Sequence, residues 1–243
     1  MKEVKIECID DSQITGFMEK DDSTEGLKIQ NLSFKNLMKE KNTLIILINM
    51  TNSHMILKKY IKKLMRYRKI LCKKFDTITF YLLSYQRSEM IQKQFKELLI
   101  PICSSNKKEI YSKAYDLACD YLDSFFYGKN LCDFHHNKCG YKKDCNLEIG
   151  CCRHFEKHKQ FGLLWGEKLV PCEKLGPDGH CSIKCLCCKL MTCEYLNKKG
   201  IRFKQKEIFP IDCIFNYKQR IYIKCIAYTP KEEIMKRIML LSF

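Results

Sequence analysis

The spacing of apolar and polar positions changes along the chain, and each change marks an element. Leu44-Ile45-Ile46-Leu47-Ile48 is short, rich in β-branched residues and bounded by polar ones. It predicts a buried strand starting at about Thr43. Ser53 is suited to cap a helix over residues 53–74. There Ile56, Leu57, Tyr60, Ile61, Leu64, Met65 and Leu71 recur at helical spacing, with Arg68 as the one break. Residues 76–85 alternate, with Ile78, Phe80 and Leu82 on one side and Thr79, Tyr81 and Leu83 on the other, as in a strand. Strand, helix and strand in this order predict a βαβ crossover. Its first connection, Asn49-Met50-Thr51-Asn52, holds no glycine, so neither a P-loop nor a Rossmann nucleotide site is expected.

Residues 88–100 read as a second helix, ended by Pro101. A third begins near Ser105 and carries Ile110, Ala114, Leu117, Ala118, Tyr121, Leu122, Phe125 and Phe126 on one face, with Gly128 placed to end it. Near the C-terminus, residues 220–228 alternate as a strand would. Thr229-Pro230-Lys231-Glu232 then has the form of a capping box ahead of a short helix bearing Ile234, Ile238 and Leu241. No apolar period persists over residues 1–30, which predicts a mobile leader. No fixed-period repeat is visible. The organisation expected is therefore a leader (1–30), an α/β N-terminal region (31–130), and a cysteine-rich α+β metal-binding domain (131–243) closed by a strand and a helix.

Composition and charge add four constraints. Of the 243 residues 46% are hydrophobic, enough for a sizeable core. The longest aliphatic run is far too short for a membrane span, so no membrane partner is expected. The start of the chain has no apolar segment of the secretory type, which points to the cytoplasm, where thiols stay reduced. The net charge of +16 is uneven: residues 41–130 hold seventeen Lys and Arg against seven Asp and Glu. No acid interrupts Lys58 to Lys74. Such a helix could track a nucleic-acid backbone, but a solvated face in a lysine-rich chain is the preferred reading.

The chemistry concentrates between Leu131 and Leu196. Eleven of the seventeen cysteines lie there, with five of the six histidines. Packing does not require so much sulfur; metal coordination, disulfides or a redox relay would. A reducing compartment favours metal. Thiolates are soft donors for zinc or iron–sulfur clusters, and four close one site. The adjacent pairs Cys151-Cys152 and Cys187-Cys188 can each serve two centres, or supply one ligand and one core thiol, because neighbouring side chains diverge in extended backbone. Cys181-x3-Cys185-x2-Cys188 has the spacing of radical S-adenosylmethionine enzymes. Only 55 residues follow Cys188, too few for the strand–helix units that fold needs after the motif. His135 and His136 read as loop residues, and His154, two positions from Cys152, is the histidine best placed to be a ligand. Cys8, Cys72, Cys103, Cys119, Cys213 and Cys225 lie outside the region and read as small buried hydrophobes. No nucleophile–base pair stands out, so no catalytic residue is assigned.

The order of cysteine signals resembles the YkgJ-type cysteine-cluster family of zinc- or iron-chelating domains. Cys145 leads to Cys151-Cys152; Cys172-Glu173-Lys174-Leu175 resembles the family's Cys-x-x-Leu element; Gly179-His180-Cys181-Ser182-Ile183 resembles its Gly-x-Cys-x-Ile element; and Cys188 or Cys193 stands for the last cysteine. The resemblance spans about residues 139–196. The approach to the Cys-Cys pair is wider here, and the family's Arg-Pro before the final cysteine is absent. The resemblance implies metal chelation without an established reaction. On the residues and the resemblance together, the candidate metal ligands are Cys139, Cys145, Cys151, Cys152, Cys172, Cys181, Cys185, Cys188 and Cys193, and the expected cofactor is Zn2+, iron or an iron–sulfur cluster.

Overall fold

The structure is a computed structural model and describes residues 3–9, 27–29, 32–35, 43–50, 52–83, 90–104, 106–128, 134–135, 138–139, 153–160, 163–171, 174, 185–192 and 194–242. The chain divides into two compact units, Met1–Tyr115 with Phe209–Phe215, and Asp116–Ile208 with Asn216–Phe243. Helix and strand are mixed, as an α/β fold requires.

The first unit is built on a five-stranded sheet in the order β1-β5-β4-β3-β2. Its strands are β1 (Glu3–Ile9), β2 (Leu27–Ile29), β3 (Leu32–Lys35), β4 (Thr43–Asn49) and β5 (Thr77–Leu83). β1, β5 and β4 are parallel, while β3 and β2 add an antiparallel edge. The register aligns Val4, Ile78 and Leu44, then Ile6, Phe80 and Ile46, then Cys8, Leu82 and Ile48. In β4 and β5 these positions are all buried. Helix α1 (His54–Lys74) joins β4 to the parallel β5, so the expected βαβ crossover is present. Helices α2 (Met90–Cys103) and α6 (Phe209–Ile214) pack against α1.

Three expectations change here. Glu3–Ile9 is a strand that pairs residue by residue with β5, so the leader reading fails for this segment. The period-two signal of Val4, Ile6 and Cys8 is short and shares its strand with charged residues, as an edge strand permits. The rest of the expected leader, apart from β2, lies outside the described residues. Pro101 sits inside α2 rather than ending it; only two helical residues follow, so its missing amide and ring disturb little of the helix. Arg68 is no break in the core face of α1. It is buried and its Nε donates to the Ser104 carbonyl at 3.1 Å, just past the end of α2.

Three further polar contacts tie this unit. Gln92 Nε2 in α2 donates to Asn52 Oδ1 ahead of α1 at 2.8 Å. On α6, Asp212 is buried and its Oδ2 accepts from Lys58 Nζ at 2.5 Å and meets His54 Nε2 at 3.2 Å. Burial resists the Asp212 charge, but the Lys58 and His54 contacts outweigh it, and its carboxyl ionises below the usual range.

Helix α3 (Lys107–Gly128) contributes Ile110, Tyr111, Ala114 and Tyr115 to the first core, and Leu117, Ala118, Cys119 and Leu122 to the second. The second unit holds two antiparallel pairs: β6 (Phe134–His135) with β7 (Lys138–Cys139), and β8 (Arg153–Gln160) with β9 (Leu163–Pro171), the latter with a register shift between Lys157 and Lys159. Helices α4 (Leu186–Leu190) and α5 (Glu194–Lys198), a 3-10 turn (Gln205–Glu207), α7 (Tyr217–Cys225) and α8 (Lys231–Leu240) follow.

The strand expected over 220–228 is instead largely helix α7. Asn216 and Gln219 form a reciprocal capping box that starts it, and Gln219 and Ile223, four apart, are its buried residues. Ile221, which alternation would place beside Ile223, is exposed. The box expected at Thr229 does not form: Pro230 is the N-cap of α8, and the Thr229 hydroxyl donates to the Ala227 carbonyl at 3.1 Å. No helix among the described residues is long and apolar enough to cross a membrane.

Candidate thiolate site

Within the cysteine region, the cysteine side chains described are those of Cys185, Cys187 and Cys188. Cys185 occupies the N-cap of α4 with extended backbone, and its carbonyl accepts from the Lys189 amide at 3.1 Å. A helical turn puts positions three apart on one side, so Cys185 and Cys188 share a side that Cys187 leaves. The contacts follow that division. Cys187 donates to the Lys224 carbonyl at 2.9 Å, whereas Cys185 and Cys188 meet the segment after α7: Cys185 reaches the Ile226 carbonyl at 3.6 Å and Cys188 accepts from the Tyr228 amide at 3.3 Å.

Tyr228 makes this arrangement possible at a conformational cost. Its φ of 60° is the left-handed conformation, rare for a residue with a side chain. Successive backbone amides around such a residue converge and form a concavity for negative charge. The Tyr228 amide donates to Cys188, and the amides of Cys188, Thr229 and Tyr228 favour the ionised form of Cys185.

The electrostatics divide the three thiols. Cys185 is lowered to about 6, first because the Cys188 thiol donates to it, and further by the three amides, against the opposing effect of burial. Cys188 is raised, first because it gives that hydrogen bond and then by burial. The pair therefore holds a thiolate and a thiol sharing one proton between them. The long contact from Cys185 to the Ile226 carbonyl is available only to a protonated sulfur, and the several donors converging on Cys185 outweigh it. Cys187 is pushed up to about 11 by burial and by the negative charge of Cys185 and Cys225, and acts as a packed thiol.

The structure thus brings together two of the expected ligands, Cys185 and Cys188. Cys139 ends strand β7, and its side chain is not described. Cys145, Cys151, Cys152, Cys172, Cys181 and Cys193 lie outside the described residues, as do His136 and His180; His135 and His154 are placed by backbone alone, in β6 and β8. Among the described residues, no group of three or more His, Cys, Asp or Glu side chains gathers to hold a metal ion. The backbone of Tyr228 and Thr229 escapes a reading of side chains, because nothing in Ala227-Tyr228-Thr229-Pro230 signals a left-handed tyrosine.

The remaining cysteines divide by exposure. Cys103, Cys119 and Cys213 are buried, as small apolar residues would be, and Cys72 is half-buried and donates to the Cys103 carbonyl at 3.0 Å. Cys8 and Cys225 are exposed, which corrects the expectation for both. On α1, Lys58 is held by Asp212 and Arg68 is buried, while Lys59, Lys62, Arg66, Lys69, Lys73 and Lys74 are exposed. No protein-family model, no curated protein and no solved structure matches the chain.

Proposed function

We propose that the chain is a metal-binding cysteine-cluster protein in which thiolates hold zinc or iron, the metal being structural or carried. Cys185 and Cys188 supply two of the donors; the others come from Cys139, Cys145, Cys151, Cys152, Cys172, Cys181 and Cys193. The observation that supports this most is the set of backbone amides around the Cys185–Cys188 pair, completed by a left-handed Tyr228. A purely packed thiol has no use for such donors, whereas a metal thiolate needs its charge met by hydrogen bonds. Cysteine density between residues 131 and 196 and the YkgJ-type resemblance point the same way. Bound zinc would add its binding free energy to folding.

Elemental analysis and an ultraviolet–visible spectrum of anaerobically purified protein test the reading. Zinc in a colourless protein supports a zinc site, and broad visible absorbance with iron supports a cluster. Cys185→Ser and Cys188→Ser should lower the metal ratio, because a hydroxyl is a poor soft donor. Cys72→Ala and Cys119→Ala should leave it unchanged. Metal-free protein from every preparation, or loss of metal in Cys72→Ala alone, overturns the proposal.

A second reading draws on the same pair. Cys185-x2-Cys188, with one thiolate and one neutral thiol, is also the arrangement of a redox dithiol. There the two sulfurs would pass two electrons to a partner disulfide and become a disulfide themselves. Metal content separates the two readings.

A further inference from the structure

The second unit contains a half-open pocket of about 330 Å³, in the size range of small-molecule sites. Its walls come from three segments. Leu190 and Met191 end α4, Phe203 and Lys204 lead into the 3-10 turn with Lys206, and Lys224 lies in the last turn of α7.

These segments are held in place without any ligand. Phe203 packs edge-on against Phe125 of α3, with ring centroids 5.2 Å apart. Gln205 Nε2 donates to the Arg220 carbonyl at 2.9 Å and pins the 3-10 turn to α7. Cys187 closes the inner wall, its thiol bonded to the Lys224 carbonyl.

The lining has two characters. Leu190, Met191 and Phe203 are apolar, and Met191 is 58% exposed. Lys204, Lys206 and Lys224 are among its lining residues and give it positive charge, and no described carboxylate residue lines it. Glu207 reaches Lys204 at 3.4 Å, but both side chains are well exposed, so this pair restrains Lys204 little.

We infer that this pocket binds a small amphipathic anion, a carboxylate on a short apolar chain, with the chain on Leu190, Met191 and Phe203 and the carboxylate among the three lysines. Charge complementarity selects the anion, and the apolar wall selects the chain. A bare inorganic anion would leave Met191 and Phe203 uncovered, and an uncharged lipid would make no use of the positive charge of the lysines. Neither Cys185 nor Cys188 lines the pocket, so its ligand does not contact the thiolate pair.

The test is calorimetric titration of the full-length protein as purified with hexanoate, octanoate and decanoate, with 1-octanol as the uncharged control. Affinity should rise about threefold for each added methylene that is covered. Octanoate should bind at least tenfold more tightly than 1-octanol, and added salt should narrow that gap. Lys206→Gln with Lys224→Gln should weaken octanoate by about tenfold while leaving 1-octanol unchanged. Met191→Asp, at an exposed position that folding does not depend on, should abolish octanoate binding. Binding that is independent of chain length, or 1-octanol equal to octanoate, overturns the inference, as does the absence of octanoate binding altogether.

Discussion

The backbone amide of Tyr228 donates to the sulfur of Cys188 at 3.3 Å, from a residue whose φ is 60°. A left-handed residue with a side chain costs roughly 1–2 kcal/mol relative to right-handed backbone, so the turn is maintained by what its amides reach. Tyr228→Gly keeps the amide and removes the steric cost, and should hold or raise stability even though a partly exposed ring is lost. Tyr228→Val places a β-branched side chain at the same φ and should destabilise by about 1–2 kcal/mol. Urea unfolding of the two variants decides: a less stable glycine variant beside an unaffected valine variant would contradict the strained turn.

Cys185 should ionise with a midpoint near pH 6 in metal-free protein. Ultraviolet thiolate absorbance should show that step, and Cys185→Ala should lose it. Cys188→Ala removes the thiol donor, so the midpoint should move up toward the ordinary thiol range. The sign for stability follows from the lowered value. This contribution is complete above the ordinary thiol pKa of about 8.5 and is lost as pH falls toward 6. Cys188, with its raised value, contributes below that range and loses its contribution as pH rises. The stability that the pair provides should therefore fall on both sides of the ordinary thiol pKa.

Asp212 should be a source of acid sensitivity in the first unit. Its folded-state carboxyl ionises below the unfolded value despite burial, because Lys58 and His54 meet it. The resulting stability is present above the unfolded pKa of about 3.9 and disappears as pH falls through the lowered folded value. Asp212→Asn leaves the Lys58 ammonium facing a neutral amide and should cost about 1–3 kcal/mol at neutral pH. The variant should also lose part of the wild-type acid dependence, read from urea midpoints across pH. An unchanged pH profile would remove Asp212 from that role.

Arg68 should be irreplaceable by an apolar residue, although it lies on the core face of α1. Arg68→Leu restores the helical apolar stripe but leaves the Ser104 carbonyl without this donor. The expected cost is about 1–3 kcal/mol. A gain in stability would show the hydrogen bond to be incidental.

Chelation should lower the melting temperature if metal holds the cysteine region together, since structural sites contribute directly to folding. Differential scanning fluorimetry with and without a strong chelator measures it, with metal content followed in parallel. Complete loss of metal at constant melting temperature would leave a carried metal and exclude a structural one.

Much of the fold was legible wherever one period dominates a long segment. Leu44 to Ile48, the alternation around Ile78, Phe80 and Leu82, and the stripes of α1 and α3 each record burial on a fixed face, and a chain of L-residues expresses such a face in only two regular ways. The density of sulfur likewise marks the region to which the metal chemistry is assigned as a proposal. Shorter segments were decided by partners that a linear pattern does not name. Glu3–Ile9 is a strand because β5 offers it an edge. Residues 217–225 are helical because Asn216 and Gln219 cap one another and because Gln219 and Ile223 share a buried face. Arg68 belongs to the core face because the Ser104 carbonyl, 36 positions away in the chain, needs a donor there. The character of the Cys185–Cys188 pair depends first on the hydrogen bond from the Cys188 thiol to Cys185, and further on the amides of Tyr228 and Thr229, some forty residues downstream. A backbone amide carries no side-chain signature, so the sequence announces the sulfurs and only the folded chain supplies the donors that make one of them a thiolate.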